Sequence, residues 1–204
     1  MAVEIELKAR LEESGPVKQR LSSIGVFLHS YEKYDAYWNS ADNILPSGVR
    51  VRREIRTLPD NAGHETILVT YKTKEITDGV EINDECEFCV SDAGVFEELL
   101  GLLGLKPGIK KEKRGWAWQV RAPEAGQPPV LAELSDVKGL GWFIEIEIIA
   151  EDREEKTVTA SRKRLFDLLA ELDIASDQIE ARPYSAMLRE KLITPDIKML
   201  NKGS

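Results

Sequence analysis

The chain has 204 residues, of which 42% are hydrophobic and 31% charged, and its net charge is -8 at pH 7. This length supports a single domain with a substantial core, and the acidic balance argues against a general nucleic-acid or anionic-membrane binder. The sequence contains neither a bilayer-spanning apolar run nor a secretory signal, and Cys86 and Cys89 predict neither a disulfide nor a metal pair. We therefore expect a cytoplasmic protein without a membrane or nucleic-acid partner.

Residues 3 to 8 alternate apolar and charged side chains. The apolar set is Val3, Ile5 and Leu7, and the charged set is Glu4, Glu6 and Lys8. A period of two predicts a strand with all three charges on one face. A half-buried strand with a solvated face explains these six residues alone. The alternative is an enclosed charged face, in which two carboxylates hold a hard divalent cation and the lysine holds a phosphate oxygen.

Similar reasoning along the chain predicts about eight strands and a few amphipathic helices. Strands are predicted at 3–10, 27–38, 48–56, 66–74, 80–90, 109–120, 130–137 and 142–149. Helices are predicted at 12–24, 92–104 and 153–173, with a short one near 184–192. Residues 1–194 are expected to form a single domain, and 195–204 a loose tail.

Most of these strands carry charges in phase. The acidic pairs are Glu4/Glu6, Glu85/Glu87 and Glu145/Glu147, and the basic sets are Lys8, Arg50/Arg52, Lys72/Lys74 and Lys111/Lys113. An open sheet with exposed charges explains any one strand. A closed barrel also explains why the opposite faces are apolar, because the helices then pack outside. The prediction is an α+β, mainly β fold: an eight-stranded antiparallel closed β-barrel with helices packed outside.

Charges of both signs inside a barrel must pair or bind ions. Three carboxylate pairs favour Mg²⁺ or Mn²⁺, and six or more cations favour a polyanion bridged by that metal. A phosphate chain satisfies this requirement. Metal and cations together would neutralise charge as a P–O bond breaks.

The ordered motifs resemble those of the CYTH superfamily, also called triphosphate tunnel metalloenzymes. The residues that carry the resemblance are Glu4-x-Glu6-x-Lys8, Arg50-x-Arg52, Thr70-Tyr71-Lys72, Glu85-x-Glu87, Lys111-x-Lys113, Gly139-Leu140-Gly141 with Phe143-Ile144-Glu145-Ile146-Glu147, and Arg182-x-Tyr184 with Leu188. The layout looks most like the class IV adenylyl cyclase branch. The resemblance implies a tunnel that binds a triphosphate with one or two divalent metals.

The resemblance also implies roles for individual residues. Phosphate-side residues would be Lys8, Arg50, Arg52, Lys72, Lys74, Lys111 and Lys113. Metal-side residues would be Glu4, Glu6, Glu145 and Glu147, with Glu133 as a further candidate. Glu85 and Glu87 would be further tunnel acids, and Glu4, Glu6, Lys8 and Lys72 the candidate catalytic residues.

Three positions depart from the family pattern. Ser135 stands where an Asp is usual, so Glu133 or Asp136 would substitute and the second metal is in question. Asn83 stands where an Arg is frequent, and Lys113 replaces an Arg and loses its guanidinium fork. A His-Phe-Arg element that precedes ExExK in well-studied bacterial cyclases is expected to be missing, because three residues precede Glu4.

Two reactions share such a site. The cyclase converts ATP to cyclic AMP and pyrophosphate, and branch resemblance favours it. A hydrolase would cleave tripolyphosphate, thiamine triphosphate or a nucleotide, and the departures favour that alternative. A non-catalytic phosphate sensor is a further option, and oligomeric state stays open, with a homodimer among the options.

The histidines and tryptophans are expected to have structural roles. His29 and His64 are expected to be satisfied or solvated histidines, and Trp116 and Trp118 to belong to the outer core. Tyr184 is equally compatible with a place at the tunnel mouth and with anchoring a helix.

Overall fold

The computed structural model describes residues 3–40, 48–77, 79–120 and 127–200, without the side chains at 74, 77 and 193–200. The eight strands are β1 (Val3–Leu11), β2 (Gly25–Asn39), β3 (Val49–Thr57), β4 (Gly63–Thr77), β5 (Val80–Cys89), β6 (Lys106–Val120), β7 (Val130–Val137) and β8 (Gly141–Ala150). The four α-helices are α1 (Gly15–Ile24), α2 (Ala93–Leu102), α3 (Glu155–Glu171) and α4 (Tyr184–Leu200), and a 3-10 turn spans Ser176–Gln178.

The strands form one closed antiparallel barrel in the order β1-β5-β4-β3-β2-β6-β7-β8. Closure depends on β1, which pairs with β5 on one side and with β8 on the other. The β1–β8 ladder runs from Val3 opposite Ala150 to Leu11 opposite Trp142. The predicted barrel with external helices is therefore confirmed.

The main core lies between the barrel wall and its helices. The alternating apolar positions of β1 and β8 point outward, and Ile5, Leu7 and Ile146 are fully buried there. They pack in one cluster with Leu21 of α1 and Leu165 of α3. This packing fixes the register of each strand, since a slip of one residue would exchange the apolar and charged faces.

A smaller cluster packs α4 against the hairpin between β7 and β8. It comprises Val137, Leu140, Phe143, Tyr184 and Met187. Gly139 and Gly141 have φ of 82° and 96°, a backbone region open mainly to glycine, so the Gly-Leu-Gly sequence sets this turn. The hairpin thereby positions the beginning of α4.

Two elements extend well beyond their predicted bounds, β6 at its start and α4 at its end. β6 begins at Lys106, and Pro107 and Gly108 lie inside it, because the ladder to β2 continues past a β-bulge between Ala36 and Trp38. Proline is tolerated at the start of a strand, where a ladder hydrogen bond is dispensable. α4 continues to Leu200, beyond the short helix predicted near 184–192 and into the segment predicted as a loose tail.

Helix α2 buries little of its apolar surface. Its N-terminus is capped by the Asp92 side chain, which accepts a hydrogen bond from the backbone N–H of Val95 at 3.0 Å. Of its apolar residues only Leu100 is buried. Among the described residues, no helix combines the length and the apolar character that crossing a membrane requires.

Candidate active site

A cavity of about 610 Å³ lies inside the barrel. Its wall is made by the inward-facing alternate residues of the strands, together with Pro183, Tyr184 and Ser185 at the beginning of α4. The predicted site residues in this wall are Glu4, Glu6, Lys8, Arg50, Arg52, Lys72, Glu85, Glu87, Lys111, Lys113, Glu133, Glu145 and Glu147. Lys74 lies on β4 in phase with Lys72, but its side chain is outside the described part of the chain.

Three carboxylates converge at one place in this wall. Glu4 and Glu6 are adjacent inward residues of β1, and Glu6 is the cross-strand partner of Glu147 on β8. One carboxylate oxygen from each of the three lies within 4.8 Å of the others. This group, Glu4, Glu6 and Glu147, is called the carboxylate triad below.

The triad lacks enough positive charge to neutralise it. Burial, and then repulsion by Glu4 and Glu6, raises the pKa of Glu147 to about 8. Burial also raises the pKa of Glu6, and it raises that of Glu4 to about 7 despite the nearby Lys72. Three converging oxygen ligands with excess negative charge fit a hard divalent cation such as Mg²⁺ or Mn²⁺.

The other two metal candidates, Glu133 and Glu145, lie in ion pairs instead. The Nζ of Lys113 is 2.5 Å from Glu145 and 3.0 Å from Glu133, and the Nζ of Lys33 is 2.5 Å from Glu133. Burial disfavours both carboxylate charges, but Lys113 outweighs it, so the pKa of Glu145 falls to about 2 and that of Glu133 falls well below its usual range. The five acids predicted as metal ligands therefore divide into a triad and an ion-paired couple.

Asp35 organises two of the predicted phosphate-side cations. Its carboxylate accepts two hydrogen bonds from Arg52, at 2.7 and 3.0 Å, and lies 2.9 Å from the Nζ of Lys111. All three side chains are buried. Burial would raise the pKa of Asp35, but the two cations hold it well below its usual range.

Lys72 and Arg50 make longer contacts. The Nζ of Lys72 is 3.7 Å from Glu4 and 3.4 Å from Glu85, so Lys72 stands beside the triad. Arg50 donates to Thr70 at 2.9 Å and lies 3.4 Å from Glu85 and 3.6 Å from Glu87. The two predicted tunnel acids on β5 therefore balance these cations.

Lys8 lies at the α4 side of the cavity. Its Nζ donates to the backbone carbonyl of Arg182 at 2.8 Å and lies 4.6 Å from the centre of the Tyr184 ring. Lys111 lies over the same ring, at 5.0 Å. Tyr184 is therefore a part of the cavity wall as well as of the cluster that anchors α4.

Sequence reasoning missed Lys33 and Asp35. Both are inward residues of β2, in phase with Tyr31 and Tyr37, and the aromatic residues of that strand concealed their alternation. A test of period two across 31, 33, 35 and 37 could have found them.

The departures from the family pattern have clear positions. Ser135 is fully buried on β7, and Asn83 is fully buried on β5 as the cross-strand partner of Glu4. Neither amide atom of Asn83 has a hydrogen-bond partner. This buried, unsatisfied amide lies next to Glu4 of the triad.

The isolated aromatic and histidine residues divide between the two sides of the wall. Trp118 is buried in the outer core, and Trp116 packs against it, as predicted. His64 is exposed, as predicted, whereas His29 is half-buried and contributes to the cavity wall, where burial lowers its pKa.

A comparison with protein families identifies the family of this chain. A sequence model of the CYTH domain matches residues 2–184. The chain belongs to the CYTH family. CYTH enzymes are in general divalent-metal dependent, and they are adenylyl cyclase-like or triphosphatase enzymes.

Individual relatives agree with this assignment. This CYTH protein is 25% identical over 185 residues to "Putative adenylate cyclase MJ0240" of Methanocaldococcus jannaschii, a match that covers 89% of this chain and 96% of that protein. It superposes on the structure of the PH1819 protein from Pyrococcus horikoshii with a TM-score of 0.73 and 26% identity, covering 92% of this chain and 99% of the other.

A plant protein shares the fold at lower identity. The Hippeastrum protein described as a "putative adenylyl cyclase" with a dominant triphosphatase activity gives a TM-score of 0.60 at 18% identity, covering 94% of this CYTH chain and 96% of that one.

Proposed function

We propose that this CYTH protein cleaves a triphosphate in the barrel cavity with Mg²⁺ or Mn²⁺, and that its reaction converts ATP to cyclic AMP and pyrophosphate. The observation that carries the proposal is the carboxylate triad directly beside Lys72, in a wall that also contains Arg50 and Lys8. Carboxylates suited to a divalent cation next to several cations form a site for a metal-bound phosphate chain.

The nucleotide is supported by the size and lining of the cavity. A cavity of about 610 Å³ is within the range of pockets that bind organic ligands, and its wall includes Leu28, Ala117 and Leu131 as well as charges. A bare phosphate chain has no use for an apolar wall. The apolar part of the wall suits an organic group attached to the phosphates.

The proposed cyclisation forms a bond between the ribose 3′ oxygen and the α-phosphorus and breaks the bond from that phosphorus to the bridging oxygen. Pyrophosphate leaves with that oxygen, and the proton of the 3′ hydroxyl is released to solvent. A bound divalent cation would supply charge neutralisation and orientation at the phosphate oxygens.

The protein's own residues would bind and orient the phosphate chain. Lys72 and Arg50 contact their carboxylates at 3.4 to 3.7 Å, so both can turn to phosphate oxygens without losing a short ion pair. Arg52 and Lys111 would act from fixed positions, because Asp35 holds them. Preorganised cations of this kind lower the barrier because they need no rearrangement as charge develops.

A hydrolase is the second candidate. Asn83, Lys113 and Ser135 depart from the pattern of the cyclase branch, and this supports attack of water on the terminal phosphorus of tripolyphosphate, thiamine triphosphate or a nucleotide. A phosphate sensor without turnover would use the same binding residues.

The deciding experiment supplies ATP, tripolyphosphate and thiamine triphosphate separately, with Mg²⁺ or Mn²⁺, and separates the products by chromatography. Cyclic AMP with pyrophosphate, lost in Glu6→Gln and retained in the exposed control Glu112→Gln, is the expected result. Orthophosphate without cyclic AMP would replace the proposal with the hydrolase. Metal-dependent binding without any product would replace it with the sensor.

A further inference from the structure

The wall of the cavity changes in character along the barrel axis. At the end covered by α4, the Nζ atoms of Lys8 and Lys111 lie 4.6 and 5.0 Å from the centre of the Tyr184 ring. Ala117 also lines the cavity, and it follows Lys111 by six residues on β6, which is about 20 Å along an extended strand. The cavity therefore has a cationic end at α4 and a second end near Ala117.

The second end is lined by Leu28, His29, Ala117 and Leu131. The register of the sheet brings these residues together. His29 on β2 is the cross-strand partner of Ala117 on β6, and Ala117 is in turn the partner of Glu133, two residues from Leu131 on β7. This group, Leu28, His29, Ala117 and Leu131, is called the His29 end below.

The charges nearest to the His29 end are already matched within the protein. Arg56 lines the same cavity and is ion-paired with the buried Glu54. Glu133 is ion-paired with Lys33 and Lys113. A phosphate chain placed here would have to compete for paired cations, whereas an uncharged group would bury apolar surface. The His29 end therefore favours the part of a substrate that is not phosphate.

His29 supplies hydrogen-bonding capacity at this end. Its Nε2 atom is buried and has no hydrogen-bond partner within the described part of the chain. Burial, and then the charge of Arg56, lowers the pKa of His29, so the ring is neutral at pH 7. A neutral imidazole has one N–H donor and one acceptor nitrogen, and the edges of nucleobases present both donors and acceptors. A buried ring nitrogen without a partner in a cavity wall indicates a missing ligand.

The carboxylate triad lies next to the His29 end. Leu131 is the cross-strand partner of Glu147, and Glu147 is the partner of Glu6. A substrate with its organic group in the His29 end therefore has its first phosphate beside the triad and its outer phosphates towards Lys8 and Lys111. In ATP the first phosphate is the α-phosphate, whose phosphorus is attacked in the proposed cyclisation.

We propose that the His29 end is the subsite for a nucleobase, and that His29 hydrogen-bonds to the edge of the base and thereby selects a nucleoside triphosphate over inorganic tripolyphosphate. The phosphate chain of the bound nucleotide then points towards α4. This inference rests on the proposed function for the binding of the phosphate chain, and it adds the direction of the substrate and a residue that determines specificity.

The first test compares two ligands by calorimetric titration with Mg²⁺: α,β-methylene-ATP, which cannot release pyrophosphate, and inorganic tripolyphosphate. His29→Leu should raise the dissociation constant of the nucleotide at least about tenfold, because the base loses its hydrogen bond in a buried place. The constant for tripolyphosphate should change by less than about twofold, because the phosphate chain lies towards the other end. His64→Leu is the matched control, since His64 is exposed, and it should change neither constant.

Two further variants separate recognition from folding. His29→Gln keeps a donor and an acceptor, so it should restore a part of the nucleotide affinity that His29→Leu loses. Ala117→Leu fills the subsite without removing a hydrogen bond, so it should also weaken nucleotide binding selectively. Unchanged binding of tripolyphosphate in each variant shows that the barrel is folded.

The second test is the direction of the substrate. 8-Azido-ATP carries its photoreactive group on the base, so irradiation with Mg²⁺, digestion and mass spectrometry locate the base in the cavity. The label is expected on the strand segments around His29, Ala117 and Leu131, and excess tripolyphosphate should prevent it. A label on the beginning of α4, around Tyr184 and Ser185, would reverse the direction and overturn the proposal.

The titrations distinguish failure of this inference from failure of the proposed function. Equal loss of both ligands in His29→Leu, without rescue by His29→Gln, would make His29 a structural residue and overturn the inference alone. A wild-type chain that binds tripolyphosphate as tightly as the nucleotide would also overturn it, since no base subsite is then used. A wild-type chain that binds neither ligand would reject the proposed function, and this inference with it.

Discussion

Glu145 and Glu147 are two residues apart on β8, point into the same cavity and belong to the same Glu-x-Glu motif, yet their charges behave in opposite ways. The pKa of Glu145 falls to about 2 because Lys113 outweighs the effect of burial, whereas burial and then Glu4 and Glu6 raise the pKa of Glu147 to about 8. The difference lies in the neighbouring strands. Glu145 lies beside Lys113, and Glu147 lies beside the acidic residues Glu4 and Glu6 of β1. A motif therefore places a carboxylate on a face, and the strands beside it decide what the carboxylate can do.

Removal of the cation shared by the ion-paired couple should have the largest effect. Lys113→Met leaves Glu133 and Glu145 without their common partner in the barrel interior, so we expect the free energy of unfolding to fall by about 3–5 kcal/mol in urea titration. Lys138→Met is the matched control on the surface. If Lys113→Met lost as little stability as the control, the charges of Glu133 and Glu145 would not depend on Lys113.

The two carboxylates should also give the metal-free protein opposite pH dependences of stability. The pKa of Glu147 rises from 4.5 to about 8 on folding, so its folded form keeps a proton that the unfolded form releases, and stability falls as pH rises from about 4.5 to about 8. The pKa of Glu145 falls from 4.5 to about 2, so its contribution is present above 4.5 and is lost as pH falls towards 2.

Glu147→Gln isolates the alkaline part of this profile. The variant should be more stable than the wild type near pH 9 in metal-free buffer, and should lose less stability between about pH 6 and about pH 9. Denaturant titrations at several pH values measure both quantities. A wild-type profile that is flat over this interval, or unchanged by the substitution, would show that the triad is neutralised in some other way.

Metal binding should depend on Glu147 more than on Glu145. A divalent cation needs ionised ligands, so Mn²⁺ affinity should decline as pH falls below about 8, and binding should release protons. Calorimetry in two buffers of different ionisation enthalpy measures the release. Glu147→Gln should weaken Mn²⁺ binding by at least about tenfold, and Glu145→Gln by less. Equal effects of the two substitutions would return Glu145 to the set of ligands.

The smallest effect is expected where an ion pair lies in water. Lys138 is 2.7 Å from Glu112 and both side chains are exposed. Lys138→Met should change the free energy of unfolding by less than about 1 kcal/mol. A larger loss would mean that short distance alone, rather than burial, determines the cost of breaking a pair in this protein.

The barrel, its charged interior and the residues of the cavity wall could be predicted, because alternation is a local property of each strand. The division of the five predicted metal ligands into a triad and an ion-paired couple could not be predicted. Glu133 meets Lys33 across 100 positions of sequence, and no local pattern shows which strands will be neighbours. Lys33 and Asp35 escaped notice in an aromatic-rich strand. The apolar spacing of α2 predicted a packed face for a related reason, but Leu99 is 46% exposed.

Closure of the barrel by β1 and β8 has a consequence for biosynthesis. β1 is synthesised long before β8 and finds this partner only after Trp142 to Ala150 has been made, so it waits for the strands between them. Contacts this distant in sequence slow folding, because the intervening loop must be closed before they form. Until then, the unpaired edge of β1 and its apolar face are exposed to other nascent chains and to chaperones. The carboxylate triad, which needs both strands, is therefore among the last parts of the molecule to be completed.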